Sequence, residues 1–155
     1  MDKRAIHLDA TVCYLKSNDK ILMLKFSKKW GRVYAPPGGK FQPGESPLDC
    51  IIREFREETG LTLISPKLQG ISYWCGSTEG IIFVFVAEKY EGTQIARSPE
   101  GKLSWMEVDD ALRTAEQFEQ NKLFAPYLFK DELFEGKFLF DDDSKLKEYT
   151  IRIIS

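Results

Sequence analysis

Residues Gly39–Leu61 read GKFQPGESPLDCIIREFREETGL, a glycine-led turn that runs into a short, charged helix. Ser46 suits the N-cap, and Pro47 then sits at the first helical position, where a missing N–H costs nothing. Asp49 lies in the first turn, where the helix dipole favours an anion. Gly60 suits the left-handed position that ends a helix. Leu48, Ile51, Ile52, Phe55 and Thr59 form a less polar stripe able to face a core. Glu54, Glu57 and Glu58 fall at i, i+3 and i+4, within an arc of roughly 100° on one face. Their centre lies roughly 120° around the helix from that of the stripe. One edge of the helix is built for packing and another for chemistry.

Clustered carboxylates repel one another, by a few tenths of a kcal/mol for each i,i+3 or i,i+4 pair. Arg53 and Arg56 could offset this as salt-bridge partners on a solvated face. A divalent cation offsets it more completely, and carboxylate oxygens suit Mg²⁺ or Mn²⁺ rather than zinc. Gly38 and Gly39 let backbone approach a ligand closely just upstream. A hard-metal site beside a glycine turn is suited to pyrophosphate chemistry.

Gly39, Glu45 and the run Arg53-Glu54-Phe55-Arg56-Glu57-Glu58-Thr59-Gly60-Leu61 resemble the signature of the Nudix hydrolases. Phe55 stands where an aliphatic residue is more usual. The resemblance implies an α/β fold, an α/β/α sandwich with a mixed β-sheet. It implies cleavage of a nucleoside diphosphate linked to another group, with Mg²⁺ or Mn²⁺ as cofactor. Glu54, Glu57 and Glu58 would be metal ligands, and one of them, or a glutamate outside the signature, the base. Arg53 and Glu45 would form an ion pair that orients the helix. The Gly38 carbonyl matches a backbone ligand in relatives. Glu100, five residues before Trp105, matches a further metal-binding or base glutamate.

Composition fits a small intracellular enzyme. The chain has 155 residues, enough for one domain with a real core, and 1–155 is read as a single hydrolase domain. The formal charge of −2 argues against duplex nucleic acid as the partner. Cys13, Cys50 and Cys75 show no metal spacing, and His7 is the one histidine, so a histidine triad or zinc site has little to build on. No segment resembles a signal peptide or reaches membrane-spanning length, so a cytoplasmic location without membrane contact is expected.

Outside the signature, strands are expected at Ala10–Leu15 and Ile21–Phe26 around a Ser17-Asn18-Asp19 turn, and at Gln69–Cys75 and Ile81–Glu88. Leu103–Val108 reads as a strand leading into a helix from about Asp110 to Glu116. Asn121–Lys130 reads as helical. Phe138–Phe140 and Glu148–Ile154 read as a last hairpin around Asp141-Asp142-Asp143-Ser144. Such alternation suits a mixed sheet with helices on both faces.

Phe124-Ala125-Pro126, Leu133–Phe138 and Glu148–Ile151 are similar to the C-terminal part of MutT-like oxidised-purine nucleoside triphosphatases. That resemblance implies hydrolysis of a small-molecule nucleotide, such as 8-oxo-dGTP, to monophosphate and pyrophosphate, a nucleotide-pool sanitation that serves DNA repair. It places Phe118 to stack on a purine and Asn121 to pair with its edge. Structural roles are open to both, as a core aromatic and a cap residue. Lys25 and Lys40 are candidates for phosphate oxygens, or solvated side chains. Ala35 stands where some relatives carry a base-reading asparagine. The alternatives are a Nudix enzyme for a dinucleoside polyphosphate, nucleotide sugar or capped RNA, a nucleotide-binding sensor, and an interaction domain.

Overall fold

The structure, a computed structural model, describes residues 6–26 and 32–155. In chain order the elements are β1 (Ile6–His7), β2 (Ala10–Ser17), β3 (Lys20–Phe26), β4 (Tyr34–Ala35), β5 (Gly38–Lys40) and α1 (Pro47–Thr59). Then come β6 (Leu61–Ile64), β7 (Lys67–Cys75), β8 (Thr78–Ala87), β9 (Lys89–Gly92) and β10 (Gly101–Glu107). Helices α2 (Val108–Arg113) and α3 (Glu119–Phe124) precede the last hairpin, β11 (Phe134–Phe140) and β12 (Leu146–Ile153).

The main sheet runs β10-β3-β2-β8-β7-β11-β12. It is mixed: β2 pairs with β8 and β7 with β11 in parallel, and the other pairs along this path are antiparallel. Successive side chains on a strand point to opposite faces. Cys13, Leu15, Leu22, Leu24, Phe85 and Ala87 therefore pack on one face, against Ile51 and Phe55 of α1. Tyr14, Ile21, Met23, Val84 and Val86 pack on the other, against Ala111 of α2 and Phe124 of α3. Helices cover both faces, which is the expected α/β/α sandwich.

The Asn18-Asp19 turn joins β2 to β3 with both residues left-handed, at φ 52° and 59°, as a two-residue hairpin of type I′ requires. The two strands pair only at Lys16↔Ile21 and Ser17↔Lys20. Farther from the turn each takes a new neighbour. Leu24 pairs with Ala35 of β4, and Ala10, Thr11 and Val12 pair with Lys40, Gly39 and Gly38 of β5. Cys13 donates its N–H to the Pro37 carbonyl at 3.0 Å, filling the gap where the two prolines pass. The splay of β2 from β3 inserts the glycine pair into the sheet.

Several boundaries differ from the sequence expectation. α2 spans Val108–Arg113 instead of reaching Glu116, because Thr114 turns to ψ 137°. The buried Gln117 amide then donates to the carbonyls of Leu112 (3.0 Å) and Thr114 (2.9 Å). The helical stretch expected over Asn121–Lys130 is α3 followed by one 3₁₀ turn at Ala125–Tyr127. Pro126 has no N–H for a helical bond, and Phe129 is left-handed at φ 58°. β11 starts four residues earlier than expected, at Phe134, where a fully buried ring meets Gly70. Leu48, assigned to the apolar stripe of α1, is 45% exposed. The β6–β9 pair was not expected; β9 is exposed along its whole length. Among the described residues no helix is long and apolar enough to cross a membrane.

Candidate functional site

The caps of α1 follow the sequence closely. Ser46 Oγ accepts from the Asp49 N–H at 3.1 Å, and Asp49 Oδ2 accepts from the Ser46 N–H at 3.2 Å, a reciprocal capping box. Gly60 ends the helix at φ 81° and donates to the Arg56 carbonyl. Buried Phe55 and Ile51 fix the rotation of the helix on the sheet. That rotation turns Glu54 and Glu58 toward β5.

Arg53 ties the site together. Its Nε and Nη2 grip both oxygens of Glu45, Nη2 also reaches the Lys40 carbonyl at 3.0 Å, and Nη1 donates to Glu54 (2.7 Å) and Glu57 (3.2 Å). The planar guanidinium supplies donors in a fixed fork that a lysine cannot match. Its grip holds the Glu45 carboxyl below the usual carboxylate range, and Glu45 in turn raises the already high pKa of Arg53.

Gly38 and Gly39 are required by contact. A Cβ on Gly38 would lie 2.0 Å from the Thr11 carbonyl oxygen, against backbone, and one on Gly39 would meet the Glu54 carboxylate. The Gly38 N–H donates to Glu58 Oε2 at 3.2 Å. Burial pushes the Glu58 carboxyl up to about 8; the Gly38 hydrogen bond acts against this, and the charges of Glu54, Glu100 and Glu57 act with it. Glu100 thus reaches the site by its charge. It stands on an exposed turn whose N–H donates to Ser98 Oγ, just before Gly101, which pairs with Phe26 of β3.

A half-buried carboxylate that feels the charges of three others offers the hard oxygen ligands a divalent cation takes. The oxygen chemistry of the site fits Mg²⁺ or Mn²⁺. In this conformation Arg53 spans Glu54 and Glu57, and among the described residues no three Asp, Glu, His or Cys side chains converge on one point. A groove of about 450 Å³ runs beside Arg53 and Glu57, lined also by Asp49, Ile52 and Arg56.

The remaining candidates divide by face. Lys25 shares the strand face of Ile21 and Met23, opposite α1. Its ammonium sits 3.5 Å from Glu116 and 4.8 Å above the Tyr34 ring. Phe118, half-buried, is the N-cap of α3, and Asn121 is buried one turn on. The Tyr34 N–H donates to the Glu116 carbonyl at 2.7 Å, which holds the segment before Phe118 against β4. Ala35 is buried beside them. Lys40 is exposed and gives its carbonyl, not its ammonium, to the Arg53 network. So Glu45, Arg53, Glu54, Glu57, Glu58 and Gly38 form one group on the α1 side. Lys25, Phe118 and Asn121 belong to the other face, and residues 34–39 connect the two.

Thr11 and Cys50 were missed as members of this neighbourhood. Thr11, fully buried, places Oγ1 3.3 Å from both the Gly39 carbonyl and Cys50 Sγ. A lone threonine within an apolar strand was the available signal. Burial pushes the Cys50 thiol up, which keeps it an uncharged packing group.

A NUDIX domain profile matches residues 6–127 of the chain. The chain is 34% identical over 156 residues to a protein of Bacillus subtilis (strain 168) named "Uncharacterized Nudix hydrolase YvcI", covering 91% of this chain and 92% of that protein. It is 31% identical over 118 residues to the "Oxidized purine nucleoside triphosphate hydrolase" of Mus musculus, covering 74% of each. The crystal structure of a MutT protein from Bacillus halodurans superposes with a TM-score of 0.83 at 32% identity, over 93% of this chain and 97% of that one.

Proposed function

Since this chain belongs to the NUDIX family and is a pyrophosphohydrolase of it, we propose that its substrate is a nucleoside triphosphate, foremost an oxidised purine such as 8-oxo-dGTP. The products are the monophosphate and pyrophosphate, and the role is sanitation of the nucleotide pool. The observation that carries this reading is the half-buried Glu58, held by the Gly38 N–H within reach of the charges of Glu54, Glu100 and Glu57. The likeness to the mouse oxidised-purine hydrolase supports the choice of base.

Glu54, Glu57 and Glu58 would hold the divalent cation, with Glu100 and the Gly38 carbonyl as further oxygen donors. When bound, Mg²⁺ or Mn²⁺ supplies positive charge against the polyphosphate and acidifies water. Glu45 keeps Arg53 in place, and Arg53 keeps Glu54 and Glu57 oriented. A glutamate of the cluster takes the proton as water oxygen bonds to phosphorus, and the P–O bond to the departing group breaks. Across residues 34–39, Phe118 would lie against the base, Asn121 would meet its edge, and Lys25 and Lys40 would approach phosphate oxygens.

The test is turnover of a nucleotide panel with Mg²⁺, with Mn²⁺ and in excess chelator, with products identified. Metal-dependent release of pyrophosphate from 8-oxo-dGTP ahead of dGTP is expected. Preference for a dinucleoside polyphosphate, nucleotide sugar or capped RNA would overturn the substrate. Full activity in chelator would overturn the metal.

A further inference from the structure

At the far edge of the sheet from β10, strand β12 is paired on one side only: among the described residues its sole strand partner is β11. A long unpaired edge is a template for another strand unless it is blunted. This one carries Tyr149 (49% exposed) and Ile153 (39%), with Ile154 (46%) directly after it, three of the six exposed large hydrophobic side chains among the described residues. We propose that β12 is a self-association edge, on which a second copy of this chain pairs antiparallel about a two-fold axis at Thr150.

The backbone direction permits it. Ile154 donates its N–H inward to the Leu133 carbonyl at 2.9 Å. Backbone groups alternate sides along an antiparallel strand, so Arg152, Thr150 and Glu148 also turn theirs inward to β11. Tyr149, Ile151 and Ile153 turn theirs outward, where no other strand among the described residues meets them.

The charges choose the register. With Thr150 opposite Thr150, Glu148 of each copy faces Arg152 of the other, and Tyr149 faces Ile151. Thr150 and the Glu148–Arg152 pairs then occupy the non-hydrogen-bonded positions, where opposed side chains come closest. Sliding by two residues loses both charge pairs, and sliding by one turns the outward backbone groups out of phase. Arg152 now contacts Glu135 of its own chain at 3.3 Å, and a guanidinium has donors enough for two carboxylates. The contact is isologous and closes at two copies.

Sedimentation velocity on the full chain, from about 1 to about 500 μM, tests this for an interface of modest size. Wild type should pass from monomer to dimer. Glu148→Arg and Arg152→Glu should each raise the dissociation constant at least about tenfold. Mixing the two single variants should restore a dimer, because both positions then face opposite charges, and the double variant should restore it within one chain. Tyr149→Lys should also weaken it. Unchanged thermal stability would show that each variant is folded. A monomer throughout the range, or a dimer indifferent to the charge reversals, would overturn the proposal.

Discussion

Gly39 lies against Glu54 so closely that a Cβ on it would come within 2.3 Å of Glu54 Oε2. The obstructing atom is the end of a flexible side chain, so the fold can yield, but only by moving the carboxylate. Gly39→Ala is therefore expected to lower kcat by about 10²-fold or more, the scale of misplacing a group at a reacting centre, with little change in Tm. Gly38→Ala meets backbone instead and should lower Tm clearly. Thermal melts and initial rates on both variants check the contrast; equal losses of stability would refute it.

Arg53→Lys keeps the charge and removes the fork. A lysine cannot hold both oxygens of Glu45 while reaching Glu54 and Glu57. Activity should fall by at least about tenfold through kcat more than KM, because the loss is of orientation rather than substrate contact. A steady-state comparison on one substrate decides it, and a change confined to KM would count against this role.

Glu58 makes the metal-free protein sensitive to pH. Its folded carboxyl stands at about 8, and the unfolded chain returns it to about 4.3. Between those values the native state binds the extra proton, so stability is greatest below the window and declines as pH rises through it. Glu58→Gln removes the liability. In chelator its Tm should exceed that of wild type at about pH 8, by a few degrees, with the gap closing toward about pH 4. Added Mg²⁺ should raise the wild type more than the variant. Melts across pH, with and without metal, would contradict this if the gap were constant.

Glu57→Gln should lose orders of magnitude in rate while remaining folded, since one ligand charge is removed from the proposed metal position. Undiminished turnover by the folded variant would count against it.

Asn121 is expected to show a split by base. If it meets the purine edge, Asn121→Ala leaves that edge unpaired, a loss of about 1–3 kcal/mol in kcat/KM for purine triphosphates and little for pyrimidine ones. Since the residue is 8% exposed, Tm should be measured alongside. Equal effects on all bases would make its role structural alone.

The α1 segment was legible because its signals are local: Ser46, Pro47, Asp49 and Gly60 each act on the nearest backbone, and the glutamate spacing needs only helical geometry. A mixed sheet with helices on both faces was legible from the succession of strands and helical stretches along the chain. The end of α2 was not, because Thr114 turns out of the helix and the Gln117 side chain bonds back to Leu112 and Thr114, which no periodicity announces. The stretch after α3 was read as helix through Pro126, where the chain makes only a 3₁₀ turn before the left-handed Phe129. Lys25 illustrates the limit among the candidate site residues. Its place in an apolar strand was visible, but its ion pair with Glu116 depends on a loop about ninety residues away, brought near by the β3–β4 pairing.

The buried Gln69 side chain has a consequence for the segment that carries Phe118 and Asn121. Its amide donates to the carbonyls of Lys130 and Glu132 and accepts from the Lys130 N–H, much as a strand would. The Tyr34–Glu116 bond fastens the other end of the same segment. Residues 116–130 are thus a strap buckled to the sheet at both ends, with Phe124 as its rivet. Such a strap flexes in the middle but does not swing out like a door. If Phe118 and Asn121 meet the base as proposed, discrimination among bases would rest on a seat shaped before the nucleotide arrives, and a change at Gln69, far from the carboxylates, should loosen that seat before it slows the chemistry.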